Sequence, residues 1–220
     1  MKRTNLRLGL ALACLALLAA PLVFAFDFQK IENTVSKHTL ANGLRILVME
    51  RHEAPVASFV TFCDVGGVDD PKEYTGMAHM FEHMAFKGTH LVGSNDINAE
   101  LAAMHIEDSI FYQLRAERKK GILADSTRLR ELEQAFDEAI TKANEYVIPN
   151  EFDNILERNG AVGLNAGTGM DQTSYIMSLP SNKLELWMAM ESARFKEPVL
   201  REMRSEERRV GKECRCLWSP

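Results

Sequence analysis

Residues 37–50, KHTLANGLRILVME, set Leu44, Ile46 and Val48 against Arg45 and Leu47, and Asn42-Gly43 supplies a two-residue turn signal. This pattern predicts a β-hairpin. Residues 55–65 predict another strand, with Val56, Ser58, Val60, Phe62 and Asp64 on one face and Ala57, Phe59, Thr61 and Cys63 on the other. Both faces are largely apolar near the middle, which suits a sheet covered by helices. Loop chemistry follows in Gly66-Gly67 and Asp69-Asp70-Pro71. Residues 75–87 predict a helix with Met77, Met80 and Met84 on one face, ended by Gly88-Thr89. Ser94-Asn95-Asp96 caps a further helix from about Ile97, and Gly121 divides a charged stretch into two arms. Leu129, Leu132, Phe136, Ala139, Ala143 and Val147 recur at three- and four-residue spacing, so the arms form an amphipathic helical hairpin. Residues 160–179 return to strand and turn composition. Residues 180–194 predict a helix with a core stripe of Leu184, Trp187, Met188 and Glu191. The expected fold over 27–203 is one α+β domain, a mixed or antiparallel sheet flanked by helices, without internal repeats.

Composition changes this picture mainly at the ends. A formal net charge of -5 over 220 residues gives no basic surface for nucleic acid. Arg115, Arg118, Lys119 and Lys120 are interleaved with glutamates and read as a solvated face. Lys2, Arg3 and Arg7 precede an apolar run from Leu8 to Ala20, and Val23-Phe24-Ala25 fits a signal-peptidase site. The run is shorter than the ~20 residues of a membrane span and is ended by Pro21, so residues 1–25 are expected to be a signal peptide without a stable membrane anchor. Export to the bacterial periplasm or outside the cell follows. The exported part holds only Cys63 before its last residues, so it is held by its core and not by a disulfide.

The chemistry concentrates in His79-Met80-Phe81-Glu82-His83. On a helix these positions i, i+3 and i+4 share one face. Two neutral imidazoles are good zinc ligands, and a carboxylate beside them can take a proton from water. The order His-x-x-Glu-His inverts the His-Glu-x-x-His arrangement of zinc proteases. A polar helix face that merely carries two histidines is the competing reading. No Gly-rich phosphate loop, Gly-x-Ser-x-Gly elbow or second metal cluster accompanies the motif.

Four blocks widen the signal: LANGLRILVMERHEAPVASF; GGVDDPKEYTGMAHMFEHMAFKGT; LNAGTGMDQTSY; and LPSNKLELWMAMESARF with PVLRE. From Thr39 to about Met203 the chain resembles the pitrilysin/insulinase zinc metallopeptidases, peptidase family M16, especially exported bacterial members. The resemblance implies the LuxS/MPP-like metallohydrolase fold, with residues about 107–147 as an inserted helical hairpin in an N-terminal peptidase domain at 26–203. It implies one Zn2+ per domain, held by His79 and His83, with Glu82 as the general base. It places Glu213 as the third ligand and Glu206 beside the ligands. Asn165 and Ala166 resemble the edge strand that pairs with a peptide substrate. Family members complete their chamber with a second homologous domain, which this chain is not expected to supply; alone it is expected to be inactive or nearly so.

Residues 204–220, RSEERRVGKECRCLWSP, change character abruptly after Met203 and resemble the translation of a sequencing adapter. They are expected to be non-native, with an exposed end, although they contain Glu206 and Glu213. The leading functional expectation is a zinc endopeptidase domain, present as a truncated fragment. The alternatives are a non-catalytic M16-like subunit that binds peptides or acts as a scaffold, and a zinc hydrolase of another class.

Overall fold

The computed structural model describes residues 32–210 except 73, 205 and 208. The expected signal peptide and Glu213 lie outside the described residues. Two compact units divide between Ala54 and Pro55.

The first unit contains the predicted hairpin, β1 (Val35–Thr39) paired antiparallel with β2 (Arg45–Met49) in the register Thr39↔Arg45. The connection is a five-residue loop, not a two-residue turn. Gly43 N–H donates to the Leu40 carbonyl, and Leu40 N–H donates to that of Leu44 (2.9 Å each). Asn42 Oδ1 accepts from Leu44 N–H at 3.1 Å, and Gly43 takes φ +88°, so both signal residues work within a wider loop.

The second unit is built on an antiparallel sheet of order β3-β5-β4, comprising β3 (Val56–Cys63), β4 (Val162–Thr168) and β5 (Thr173–Pro180). Around it run α1 (Met77–Met84), α2 (Ile97–Arg118), α3 (Ser126–Asn144), α4 (Glu151–Arg158) and α5 (Leu184–Lys196). The fold is α+β, and the described sheets are antiparallel throughout. β5 turns Tyr175, Met177 and Leu179 inward, with Met177 and Leu179 against Phe152 and Leu156 of α4 and Met190 of α5, and Tyr175 against the rings of Phe86 and Phe195. Phe59 of β3 stacks on Trp187 of α5, with ring centroids 4.1 Å apart. The opposite face leaves Val56, Val60, Phe62 and Ile176 exposed. Helices therefore cover one face of this sheet, not both as the apolar alternation of β3 suggests.

α2 and α3 form the predicted helical hairpin, closed by a second core of Leu114, Leu132 and Phe136. Asp96 caps α2 through Ala99 N–H, and Asp125 caps α3 through Thr127 and Arg128 N–H. Arg118 pairs with Glu133 on the exposed face, whereas Glu117, the partner of Lys120, is buried and departs from the solvated-face reading. The core stripe of α5 is corrected in half: Trp187 packs on the core and Glu191 is buried, but Leu184 and Met188 are exposed, and Met190 and Arg194 are buried instead. Apolar residues occur all around this helix, so periodicity does not select a face; the aromatic rings of Phe86, Phe152, Tyr175 and Phe195 around the Arg194 guanidinium do.

Candidate metal centre

The site begins with how α1 is held. Eight residues are too few for a stable helix in water, so its ends must be fixed from outside. Gly76 precedes it in a left-handed conformation, φ +93°, and offers no capping side chain. Asp70 supplies the cap from the preceding loop: Oδ2 accepts from Gly76 N–H at 2.6 Å and Oδ1 from Ala78 N–H at 2.8 Å. That loop is tied to the β4–β5 turn by Gly67 N–H to Gly169 O (3.0 Å) and Val68 N–H to Met170 O (2.7 Å). A Cβ on Gly66 would stand 2.6 Å from the Asp171 and Gln172 backbone, which explains glycine there.

The C-terminal end of α1 falls short of the expected 87. Ala85 N–H is shared between the Phe81 (3.0 Å) and Glu82 (3.3 Å) carbonyls, and Phe86 and Lys87 N–H donate to carbonyls three residues back, so the winding tightens instead of continuing as α-helix. The following loop is clamped by Arg201, which is 2% exposed. Its guanidinium donates to Glu100 Oε1 (2.7 Å) and to the carbonyls of Lys87 (2.7 Å), Val92 (2.8 Å) and Thr89 (3.1 Å). Gly93, at φ +98°, passes so close that a Cβ would collide with the guanidinium and come within 2.8 Å of the Lys87 carbonyl.

Held in this way, α1 brings His79, Glu82 and His83 to one face. Their ligand atoms all lie within 4.8 Å of one another. The two histidine Nε2 atoms are 3.2 Å apart. Two nitrogens bound to one tetrahedral zinc at 2.0–2.1 Å would be about 3.3 Å apart, so the pair fits such an ion. His83 Nδ1–H donates to Glu206 Oε2 at 2.8 Å, which leaves the Nε2 lone pair facing His79. Glu206 is 1% exposed and also pairs with Lys87 Nζ at 2.8 Å. Burial pushes its carboxyl up, but hydrogen bonds from Lys87 and His83, with the charges of Lys87 and Arg209, carry it below the usual range. It is therefore a carboxylate. Lys87 stays an ammonium for the complementary reason: burial lowers it, and Glu206 and Glu202 more than restore it. Glu82 is 8% exposed, and its Oε2 accepts from Thr168 Oγ1 at 2.5 Å.

The group opens on a cleft of about 320 Å³ lined by Glu82, His83, Asn165, Ala166, Asp153 and Glu157, among others. β4 forms one side and is an edge strand among the described residues. Asn165 is exposed, and its Oδ1 accepts from Ala166 N–H at 2.9 Å. A register shift between Val162 and Asn165, with Gly163 at φ +66°, bends this edge.

The structure thus brings together His79, Glu82, His83 and Glu206, with Asn165 and Ala166 on the same cleft. Of the tail expected to be non-native, Glu206 and Val210 are buried, while its end, with Glu213, lies outside the described residues. Sequence reasoning missed α4, which brings Asp153 and Glu157 to the cleft. Pro149-Asn150-Glu151 before Phe152, Ile155 and Leu156 was a usable signal for it. It also missed the Asp70 cap, the Glu100–Arg201 clamp and Thr168, whose partners are distant in sequence.

Residues 45–120, which include α1, match the model of the Insulinase (Peptidase family M16) family. Protease 3 of Escherichia coli strain K12 is 32% identical over 106 residues, covering 43% of this chain and 11% of that protein. An uncharacterized zinc protease of Streptomyces coelicolor is 33% identical over 78 residues, 36% of this chain and 17% of that protein. The chain therefore spans a small part of the length of the curated relatives it matches. The crystal structure of a protease from Helicobacter pylori shares the fold, with a TM-score of 0.52 and 21% identity over 83% of this chain and 31% of that one. Over residues 45–120 the chain is thus similar to the insulinase family of peptidases, peptidase family M16.

Proposed function

We propose that this chain is the metal-bearing domain of a zinc endopeptidase. The observation that carries the reading is the convergence of the His79 and His83 Nε2 atoms across 3.2 Å, with Glu82 beside them. His79 and His83 would hold the ion. Glu213 is the candidate third protein ligand from the family resemblance, and a His₂Glu set leaves one position for water. When bound, zinc supplies Lewis acidity that polarises a peptide carbonyl and makes water a stronger acid. Glu82 accepts the proton of the attacking water and delivers it to the leaving amine. Glu206 fixes the ring of His83 by accepting its Nδ1–H. The β4 edge at Asn165 and Ala166 receives the substrate backbone as an added strand, which presents the scissile bond to Glu82.

The relatives are much longer than the matched segment, which supports a second homologous domain as the partner that completes the chamber. The pattern of residues 1–25 supports export to the periplasm or beyond. Cleavage is accordingly expected of the complete protein, with this chain by itself inactive or nearly so.

The test is Glu82→Gln in the complete protein, assayed for bound zinc and peptide cleavage. Zinc should remain at one per domain while turnover falls by about 10²–10⁴-fold. His79→Ala and His83→Ala should lose the metal itself. Near wild-type turnover by the zinc-loaded Glu82→Gln protein would refute the base assignment. A zinc-loaded wild type that cleaves no peptide would favour the non-catalytic peptide-binding or scaffold role.

A further inference from the structure

Glu82 shares a helical face with His79 and His83, and its nearest oxygen lies within 4.8 Å of their ligand nitrogens. A carboxylate so placed competes for any cation the imidazoles hold, and once ligated it is a weaker base. The opposing contact comes from β4, where Thr168 Oγ1 donates to Glu82 Oε2 at 2.5 Å.

Counting protons fixes the direction of that bond. Thr168 and Thr173 face each other across the β4–β5 pair, their hydroxyl oxygens 3.2 Å apart. Each has one proton to give. Thr173, 4% exposed, gives its proton to the Val65 carbonyl at 2.9 Å, satisfying a backbone acceptor. It therefore has none for Thr168. The Thr168 proton goes to the shorter and charge-assisted contact, the Glu82 carboxylate. Because β4 is paired to the central strand β5, this donor sits on a rigid element and not on a loop.

We propose that Thr168 is a positioning residue that keeps Glu82 out of the coordination sphere of the metal held by His79 and His83. The inference rests on the zinc reading above. It adds a requirement that the metal-binding motif alone does not express: a base adjacent to the ligands needs a tether pulling the other way.

Cobalt(II) substitution in the full chain reads coordination directly, without any catalytic assay. Thr168→Val removes the hydroxyl at nearly constant shape, and the freed Glu82 should then enter the coordination sphere. The visible d–d bands should shift and lose intensity as the carboxylate adds, and Co2+ affinity should rise by about tenfold. Thr168→Ser should keep the wild-type spectrum. Glu82→Gln/Thr168→Val should match Glu82→Gln alone, because the effect requires a carboxylate. Thr168→Ala repeats the test if the valine disturbs β4. A folded, cobalt-loaded Thr168→Val or Thr168→Ala chain with an unchanged spectrum and affinity would overturn the inference and leave the zinc reading standing. Undiminished Co2+ uptake by the His79→Ala/His83→Ala chain would instead overturn the zinc reading, and this inference with it.

Discussion

Arg201 is not among the residues lining the cleft, yet it joins the loop behind α1 to α2 through one buried guanidinium. Replacing it with methionine fills the space but strands Glu100, which is fully buried, and removes donors from three carbonyls. Breaking a buried pair on one side costs about 3–5 kcal/mol, so Arg201→Met should lose that much stability in chemical denaturation. Gly93→Ala should also destabilise, by at least about 1–3 kcal/mol, because its backbone conformation and the guanidinium both exclude a Cβ. Asp153 behaves differently. Burial, and then the charge of Glu157, push its carboxyl above the usual range, against the opposing charges of Arg194 and Lys87. A carboxyl raised on folding contributes stability that is complete below its unfolded value, about 3.9, and is lost as pH rises through the folded value. Asp153→Asn should therefore flatten the stability–pH curve above about pH 4, as measured by thermal unfolding across pH. An unchanged curve would contradict the assignment of that slope to Asp153.

At the scale of elements, α1 is a short helix held at both ends by side chains from elsewhere. Asp70→Ala should cost about 1–2 kcal/mol through loss of the cap and weaken metal binding, both measurable on one purified variant. The shared face of His79, Glu82 and His83 on α1 was legible because their spacing is itself helical geometry. The helical hairpin was legible because its caps and apolar spacing are local. Other features depend on pairing between distant segments. Thr168 reads as an ordinary strand residue until β4 lies against α1. Arg201 and Glu100 stand 101 residues apart, so no local pattern pairs them. Leu184 and Met188 of α5 were misplaced because a helix with apolar residues on every side is oriented by its neighbours, here the aromatic rings around Arg194.

At the scale of the whole molecule, no helix among the described residues is long and apolar enough to cross a membrane. The proposed function requires one metal per chain, held by His79 and His83 of one short helix with Glu213 as the candidate third ligand, and a cleft whose open edge strand runs past the base. It also places peptide turnover in an assembly larger than this chain, so loss of activity in the chain alone would leave the metal assignment untouched. X-ray absorption at the zinc edge, recorded on the zinc-loaded full chain, tests that assignment most directly. The account predicts nitrogen or oxygen neighbours at about 2.0–2.1 Å, with the multiple scattering of two imidazoles that disappears in His79→Ala/His83→Ala. A shell dominated by sulfur at about 2.3 Å, or an unchanged spectrum after both histidines are removed, would contradict it.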